Sequence, residues 1–363
     1  MKRIDTYIVY QFIKNLLFAL LCFIIIFILV DLFENLDKFI DNHLTLLLVI
    51  KYYFFYIPEI IHLVTPIAVL LSTLFTVGRM LNFNELTAVK NAGVSLFRFI
   101  LPFLITGTAI TGISIYFNNW LVPEANKQKF AIERNYLGKY RDYGGLNRLY
   151  FQDSRTRIIT IEAFNDAEFT ANKVSILEFN PDTLTKLVRR IDADKMKWEN
   201  NNWVLYNALE RDFNSQIEGI KHYLQIEFEG IGKLNLSINQ ISKKQLLPDE
   251  MNYSELKQLI DNQAKGGQNT DKLLVDYYSK ISFPFSSLIV IIFGISISTG
   301  TKKRKGLAMQ FGISILVSFV YLGFVKISQT FGYNGDMNPV FTAWLANLAF
   351  ALFGGVNLYL RNY

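Results

Sequence analysis

One cysteine and three histidines in 363 residues leave this chain few ways to bind a metal or cross-link itself. Cys22 has no second cysteine for an intrachain disulfide, and a thiolate metal site is excluded with it. His43, His62 and His222 stand apart in the chain, none with a ligand neighbour at usable spacing. A phosphate-binding loop is missing as well. The nearest stretch, Ala264-Lys-Gly-Gly-Gln-Asn-Thr270, lacks the Lys-Ser/Thr pair, follows no strand and reads as a linker. No small-x-small cleavage site follows the first apolar run. Asp31-Leu-Phe-Glu34 comes next, so an uncleaved first span is expected. No catalytic set stands out, so the chain reads as a non-enzyme with no cofactor of its own. Any ATP is handled by another protein.

What the chain has in quantity is apolar surface: 51% hydrophobic residues, with 31 Phe and 19 Tyr. Crossing ~30 Å of hydrocarbon takes about 20 residues. Six runs meet or approach that length, near 13–33, 57–77, 97–117, 281–299, 307–327 and 341–359. Residues 118–279 between the third and fourth runs are polar and mixed. The expected organisation is three spans (1–117), a soluble domain (118–279) and three more spans (280–363).

Lysine and arginine placement orients such a chain. The N-terminus, the 78–98 loop, the 300–306 loop and the C-terminus hold eleven cations against two acids, Asp5 and Glu85. The remaining 26 cations face 29 acids. Both termini are therefore expected in the cytoplasm, with the large domain on the far side. The net charge of +6 follows from this topology and does not indicate nucleic-acid binding. The run Lys302-Lys-Arg-Lys305 fits an anionic inner leaflet or simple topology determination.

In the soluble segment, helix is expected to about Tyr140, and from Leu149 the period changes to two. Ile159-Thr-Ile-Glu-Ala163, Val174-Ser-Ile176, Tyr223-Leu-Gln-Ile-Glu-Phe228 and Lys233-Leu-Asn-Leu-Ser-Ile238 alternate apolar with polar. Asn200-Asn-Asn202, between Trp198 and Trp203, marks a hairpin turn. Short strands at this spacing point to a sandwich or jelly-roll. Helix returns at Ser254–Ile260 and from Asp271 to Lys280. His222 reads as an ordinary strand residue.

The stretch from Arg79 to Phe99, between spans two and three, reads as a capped helix of about ten residues, marginal without a surface to dock on. Asn82 is the expected N-cap, with Glu85 in the capping-box position. Gly93 suits a left-handed C-terminus, and Ser95 can start the next helix. Leu86, Val89, Gly93 and Leu96 make one small apolar face. A short docking helix between spans is what a membrane subunit needs when a separate motor drives it.

Polar residues within the apolar runs leave alternatives open. Asp31, Glu34 and Lys38 share a helical stripe, either a solvated helix end with a Glu34–Lys38 pair or the polar lip of a cavity for an amphiphile. In span five, Gln310, Ser314, Ser318 and Tyr321 recur at helical spacing, either bonding within the bundle or facing a wet cavity. Lys326 near its outer end either snorkels to the interface or meets an outer-leaflet phosphate. Pro58, Pro66 and Pro284 interrupt spans two and four.

These residues, taken in order, resemble the LptF/LptG permease family, the membrane half of the lipopolysaccharide export ABC transporter. The resemblance runs from Ile4-Asp-Thr-Tyr-Ile-Val-Tyr-Gln-Phe12 through Ile57-Pro58, Thr65-Pro66 and Val77-Gly-Arg-Met80. Its most specific piece is Asn84-Glu-Leu-Thr-Ala-Val-Lys-Asn-Ala-Gly-Val-Ser95, and Val122-Pro-Glu-Ala125 and Phe283-Pro284 … Gly294 … Lys303-Arg-Lys-Gly306 follow. The resemblance implies an α+β membrane protein of six transmembrane helices with an inserted periplasmic β-jelly-roll, in a Gram-negative inner membrane. It implies a second permease of the same fold, a cytoplasmic ATPase dimer that uses ATP and Mg, a single-span bridge protein, a periplasmic jelly-roll bridge and a lipopolysaccharide substrate. Arg79, Asn84, Glu85, Leu86, Val89, Lys90 and Gly93 would form the coupling helix in the ATPase groove, with Glu85 meeting a basic residue there. Lipid-contact candidates are Phe27, Val30, Glu34, Lys38, Phe311, Phe319, Leu322 and Lys326, assigned from span membership. The chain departs from the family where span one ends: members often place cations there for lipid phosphates, and here only Lys38 is positive.

Two other classes compete. An ion-driven secondary transporter would want a buried mid-span carboxylate, and Glu59 beside Pro58 is the nearest acid. A membrane-anchored scaffold would bind protein through its soluble domain, but six spans with a docking loop exceed what anchoring needs.

Overall fold

The computed structural model describes residues 3–137, 149–165, 168–183, 185–199, 202–213, 219–227, 234, 236, 241, 247–265, 269–299 and 307–360. Lys302–Lys305, Arg361 and most of Lys233–Ile238 lie outside the described residues. Two compact units are present: Met1–Ile132 with Pro248–Ala264 and Asn269–Tyr363, and Glu133–Leu247 with Lys265–Gln268. The flanks 118–132 and 248–264 group with the helices.

The helical unit runs α1 (Arg3–Asp41), α2 (Leu46–Asn82), α3 (Glu85–Asn91), α4 (Leu96–Tyr116) and, through a π-helical turn at Phe117–Leu121, α5 (Val122–Tyr136). It resumes with α6 (Tyr253–Lys265), α7 (Asp271–Ser282), α8 (Ser286–Thr299), α9 (Leu307–Tyr333) and α10 (Pro339–Leu360). Six helices among the described residues are long and apolar enough to cross a membrane, with α7 and α8 together making the fourth. Pro284 sits in the 3-10 turn Phe283–Phe285 that divides that fourth span. The π turn lets Asn118 and Asn119 turn inward. Asn118 donates to the Lys280 carbonyl at 3.0 Å and Asn119 to the Ile115 carbonyl at 2.7 Å.

α2 is the hub: 72% of its most apolar stretch is buried within the protein, against 11% for α1. α1, α8 and α9 all pack on it. Gly78 allows the closest of these approaches, because a Cβ there would lie 1.8 Å from Gln310 Nε2 on α9. The polar series of span five faces the bundle. Gln310, Ser314, Ser318 and Tyr321 are all buried, Tyr321 donates to Asn347 Oδ1 at 2.8 Å, and Asn347 donates on to the Ser282 carbonyl at 2.6 Å.

The second unit holds β1 (Leu149–Ser154), β2 (Arg157–Asn165), β3 (Thr170–Phe179), β4 (Leu187–Glu199), β5 (Asn202–Asp212) and β6 (Gly219–Glu227), one antiparallel sheet in sequence order. The expected β domain is there, and the hairpin pairs Trp198 with Trp203 and Glu199 with Asn202. At its tip Lys197 reaches Glu199 at 2.9 Å, and that hydrogen bond holds the Glu199 carboxyl below its ordinary value. Among the described residues the strands run as a meander, each hydrogen-bonded to the next. Alternation fixes which side chains share a face and says nothing of strand order, which the pairing supplies. Leu234, Leu236 and Ile241 join the buried apolar face, and Trp203 Nε1 donates to the Leu236 carbonyl at 2.7 Å.

A crease crosses this sheet. Ile161 pairs with Val174 and Ala163 with Asn172, which leaves Glu162 facing Lys173 outside the ladder. The same skip sets Lys173 against Asp194, Asp194 against Asn207 and Asn207 against Leu224. The residues of the buried apolar cluster shift parity at that line in four strands: Ile159 and Ile161 then Phe164; Ala171 then Val174 and Ile176; Ile191 and Ala193 then Met196; Trp203 and Leu205 then Ala208. Lys173 and Asn207 take left-handed backbone there, with φ of +48° and +50°. The register is the same on either side of the line, so the strands turn together there and their faces are re-aimed in step. Polar contacts run along the crease, Lys173 to Glu162 at 3.5 Å and Asn207 to Asp194 at 3.2 Å.

Candidate functional site

The Arg79–Phe99 loop forms a short helix clipped at both ends by left-handed residues. α2 continues through Asn82, which is therefore not the N-cap expected from the capping pattern. Phe83 N–H bonds the Arg79 carbonyl and Asn84 N–H the Leu81 carbonyl, so the turn comes two residues later. Asn84 is the cap, with φ +59° and no side-chain cap bond to the new helix. Asparagine is among the few residues that accept this backbone. Glu85 becomes the first helical residue, seven residues before the cap at Ala92. The other end follows the sequence expectation. Gly93, at φ +75°, donates to the Lys90 carbonyl at 3.0 Å while Val94 donates to the Val89 carbonyl at 3.3 Å, a Schellman closure. Ser95 Oγ then accepts from Arg98 N–H at 3.3 Å and starts α4.

The surface that α3 needs is partly its own protein. Leu86 is 2% exposed and belongs to the apolar cluster of Ile8, Phe12, Met80 and Phe99. This corrects the reading of Leu86 as part of a free docking face, since its position in the helix points it at the bundle. Val89 is half-buried, while Thr87, Ala88, Lys90 and Asn91 are exposed. Phe83 and Phe97 flank α3 with 68% and 70% exposure, and the Arg79 guanidinium sits 5.7 Å from the Phe83 ring centroid. Glu85, now the first helical residue, no longer stands three residues after the cap. Its carboxylate accepts from the Tyr7 hydroxyl, at 3.2 Å to Oε1 and 3.1 Å to Oε2. Arg98 donates to Asp5 at 2.6 Å. Sequence reading missed Asp5 and Tyr7 as parts of this site, because nothing in local spacing links residue 7 to residue 85.

The lipid-contact candidates lie on α1 and α9, both packed on α2. Val30, Phe311 and Phe319 are exposed and Phe27 is half-buried. Leu322 instead packs beside Tyr321, Ala346 and Phe350, facing α10. Glu34, Lys38 and Lys326 are exposed, and among the described residues no ion pair joins Glu34 to Lys38. Asp31 accepts from Tyr53 at 3.1 Å.

A second polar site was not foreseen. Lys129 on α5, 5% exposed, is ion-paired to Glu59 of α2 and lies 4.7 and 4.4 Å from the ring centroids of Tyr56 and Phe130. Glu59 is the acid that an ion-driven transporter would have used, and here it neutralises a structural cation. His62 packs at 4.8 Å on the Phe283 ring.

The lipopolysaccharide export system permease LptF/LptG family matches residues 6–361. The lipopolysaccharide export system permease protein LptG of Escherichia coli (strain K12) is 22% identical over 282 residues, covering 76% of this chain and 74% of that protein. An uncharacterized protein of Aquifex aeolicus (strain VF5) is 22% identical over 251 residues, covering 67% of each.

Proposed function

The chain belongs to the LptF/LptG family of lipopolysaccharide export permeases, and on that premise we propose that it is the non-catalytic subunit through which a separate ATPase drives lipopolysaccharide out of a membrane. The observation that carries the coupling part is α3, a seven-residue helix between two spans, fixed to the bundle by Leu86 and presenting its other side outward. A motor docked on that outward side would move the helix as a rigid piece, with Glu85, Lys90, Arg79 and the flanking Phe83 and Phe97 at or around the contact. ATP and Mg belong to the partner, a dimer; this chain holds no cofactor.

In this reading the membrane is the inner membrane of a Gram-negative cell, both termini are cytoplasmic and the β domain is periplasmic. A second permease of the same fold closes a cavity against α1, α2 and α9. ATP-driven motion narrows that cavity and expels lipid toward the β domain, a single-span bridge protein and a periplasmic jelly-roll bridge. The apolar side chains that α1 and α9 leave exposed, Val30, Phe311 and Phe319 among them, support this placement. Glu34, Lys38 and Lys326 sit where headgroups would lie, and with acids and cations mixed there, much of the phosphate recognition falls to the partner permease.

Glu85→Arg tests the coupling. The expected result is that the ATPase no longer co-purifies with the permease and export stops, while the permease itself stays folded. An intact complex that exports fully would refute the assignment.

A further inference from the structure

The coupling loop is tied down at both ends by one short stretch of α1. Asp5 and Tyr7 lie two residues apart, before the apolar run of that helix begins. Asp5, 8% exposed, takes Arg98, where the loop re-enters the membrane region as α4. Tyr7 takes Glu85, where the loop begins α3. Ile8 and Phe12, one and five residues beyond Tyr7, share the apolar cluster that receives Leu86. The beginning of α1 therefore bonds the first residue of α3, shares an apolar cluster with its second and pairs with the start of α4.

The Tyr7 contact has a particular geometry. One hydroxyl proton is shared between two carboxylate oxygens at nearly equal distance, 3.2 and 3.1 Å. A glutamate at a helix start can turn through several rotamers. A donor aimed between its oxygens selects one of them and fixes the plane of the carboxylate.

We propose that Tyr7 is a positioning residue for the Glu85 carboxylate, and that the Tyr7–Glu85 and Asp5–Arg98 ties make α1 move as one body with the coupling helix. This rests on the reading of α3 as the element a partner ATPase drives. Motion imposed on α3 then reaches span one directly through side chains, in addition to spans two and three through the backbone. Span one carries Phe27, Val30, Glu34 and Lys38, so the lipid-contact candidates of that helix are linked to the motor by the turn that holds Glu85.

The test uses the complete permease–ATPase assembly in lipid vesicles loaded with lipopolysaccharide, and reads lipid released per ATP hydrolysed. Tyr7→Phe keeps the ring and removes only the hydroxyl. It is expected to leave assembly and ATP hydrolysis near wild type and to lower the release per ATP about fivefold, on the order of one ordinary hydrogen bond. In a Glu85→Ala background the same change should add nothing further, because the group it positions is gone. An unchanged ratio for Tyr7→Phe, or an independent additional loss in Glu85→Ala, overturns the positioning role. The shared motion has its own test. Asp5→Cys and Arg98→Cys in a Cys22→Ser background, bridged by a thiol-reactive cross-linker about as long as the arginine side chain it replaces, should export at least as fast as the unbridged form; a bridge that halts export shows that α1 and the loop move separately. If Glu85→Ala by itself leaves assembly and export untouched, the coupling reading fails, an outcome distinct from a failure of Tyr7→Phe alone.

Discussion

A buried ammonium is costly unless something neutralises it, and Lys129 has a carboxylate and two aromatic faces to do so. Removing its charge leaves the Glu59 carboxylate in a site shaped for a cation. Glu59 is about one-third exposed, 34%, so water offsets part of the loss. Lys129→Met is expected to lower stability by about 1–3 kcal/mol, below the range for a fully buried pair. Adding Glu59→Gln should recover about half of that, with thermal unfolding in detergent as the measurement. At this scale the sequence was legible only where a side chain acts on its near neighbours. Gly93 and Ser95 were readable because each bonds within a few residues. Asn82 misled because the end of α2 is set two residues later by the left-handed Asn84. The ties that hold the site, Tyr7 to Glu85 and Lys129 to Glu59, span 78 and 70 residues, and no pattern of local spacing encodes them.

Among the elements, the creased strands carry a cost that substitution can reveal. Lys173 and Asn207 sit in left-handed backbone inside β3 and β5. β-branched residues favour strands in general but tolerate that backbone poorly. Lys173→Val should therefore destabilise the sheet by about 1–2 kcal/mol. Lys195→Val on β4, an exposed position in the regular ladder, should stay within about 0.5 kcal/mol. Amide hydrogen exchange of β3–β5 peptides in the intact chain separates the two: the first variant should exchange roughly ten times faster, the second near wild type. Strand existence was legible at Ile159–Ala163 and Val174–Ile176 because period-two alternation is a local property. The crease was also written in the sequence, as a spacing of three between buried residues in four successive strands. A search for uninterrupted alternation passes over it.

Across the whole molecule, the six spans were legible because hydropathy sums over a window and needs no knowledge of packing. Which span is central was not: the burial of α2 depends on α8 and α9, which lie in the other half of the chain, as well as on the adjacent α1. The proposed orientation yields a direct test, helped by the single native cysteine. In a Cys22→Ser background, a cysteine at His222, exposed on β6, should react with an impermeant maleimide added outside the inner membrane. A cysteine at Lys90, exposed on α3, should react only after the membrane is opened. The reverse pattern would invert the topology and remove α3 from the reach of a cytoplasmic motor.

The crease also constrains how this sheet can change in descent. A strand that loses one residue at that line exchanges its inner and outer side chains for the rest of its length, putting a charge such as Lys197 where Met196 is buried. Insertions and deletions there behave like frameshifts in three dimensions, tolerable only when neighbouring strands shift together. The expected pattern among relatives is free variation in the loops that join these strands and a fixed distance in residues from each strand end to the crease.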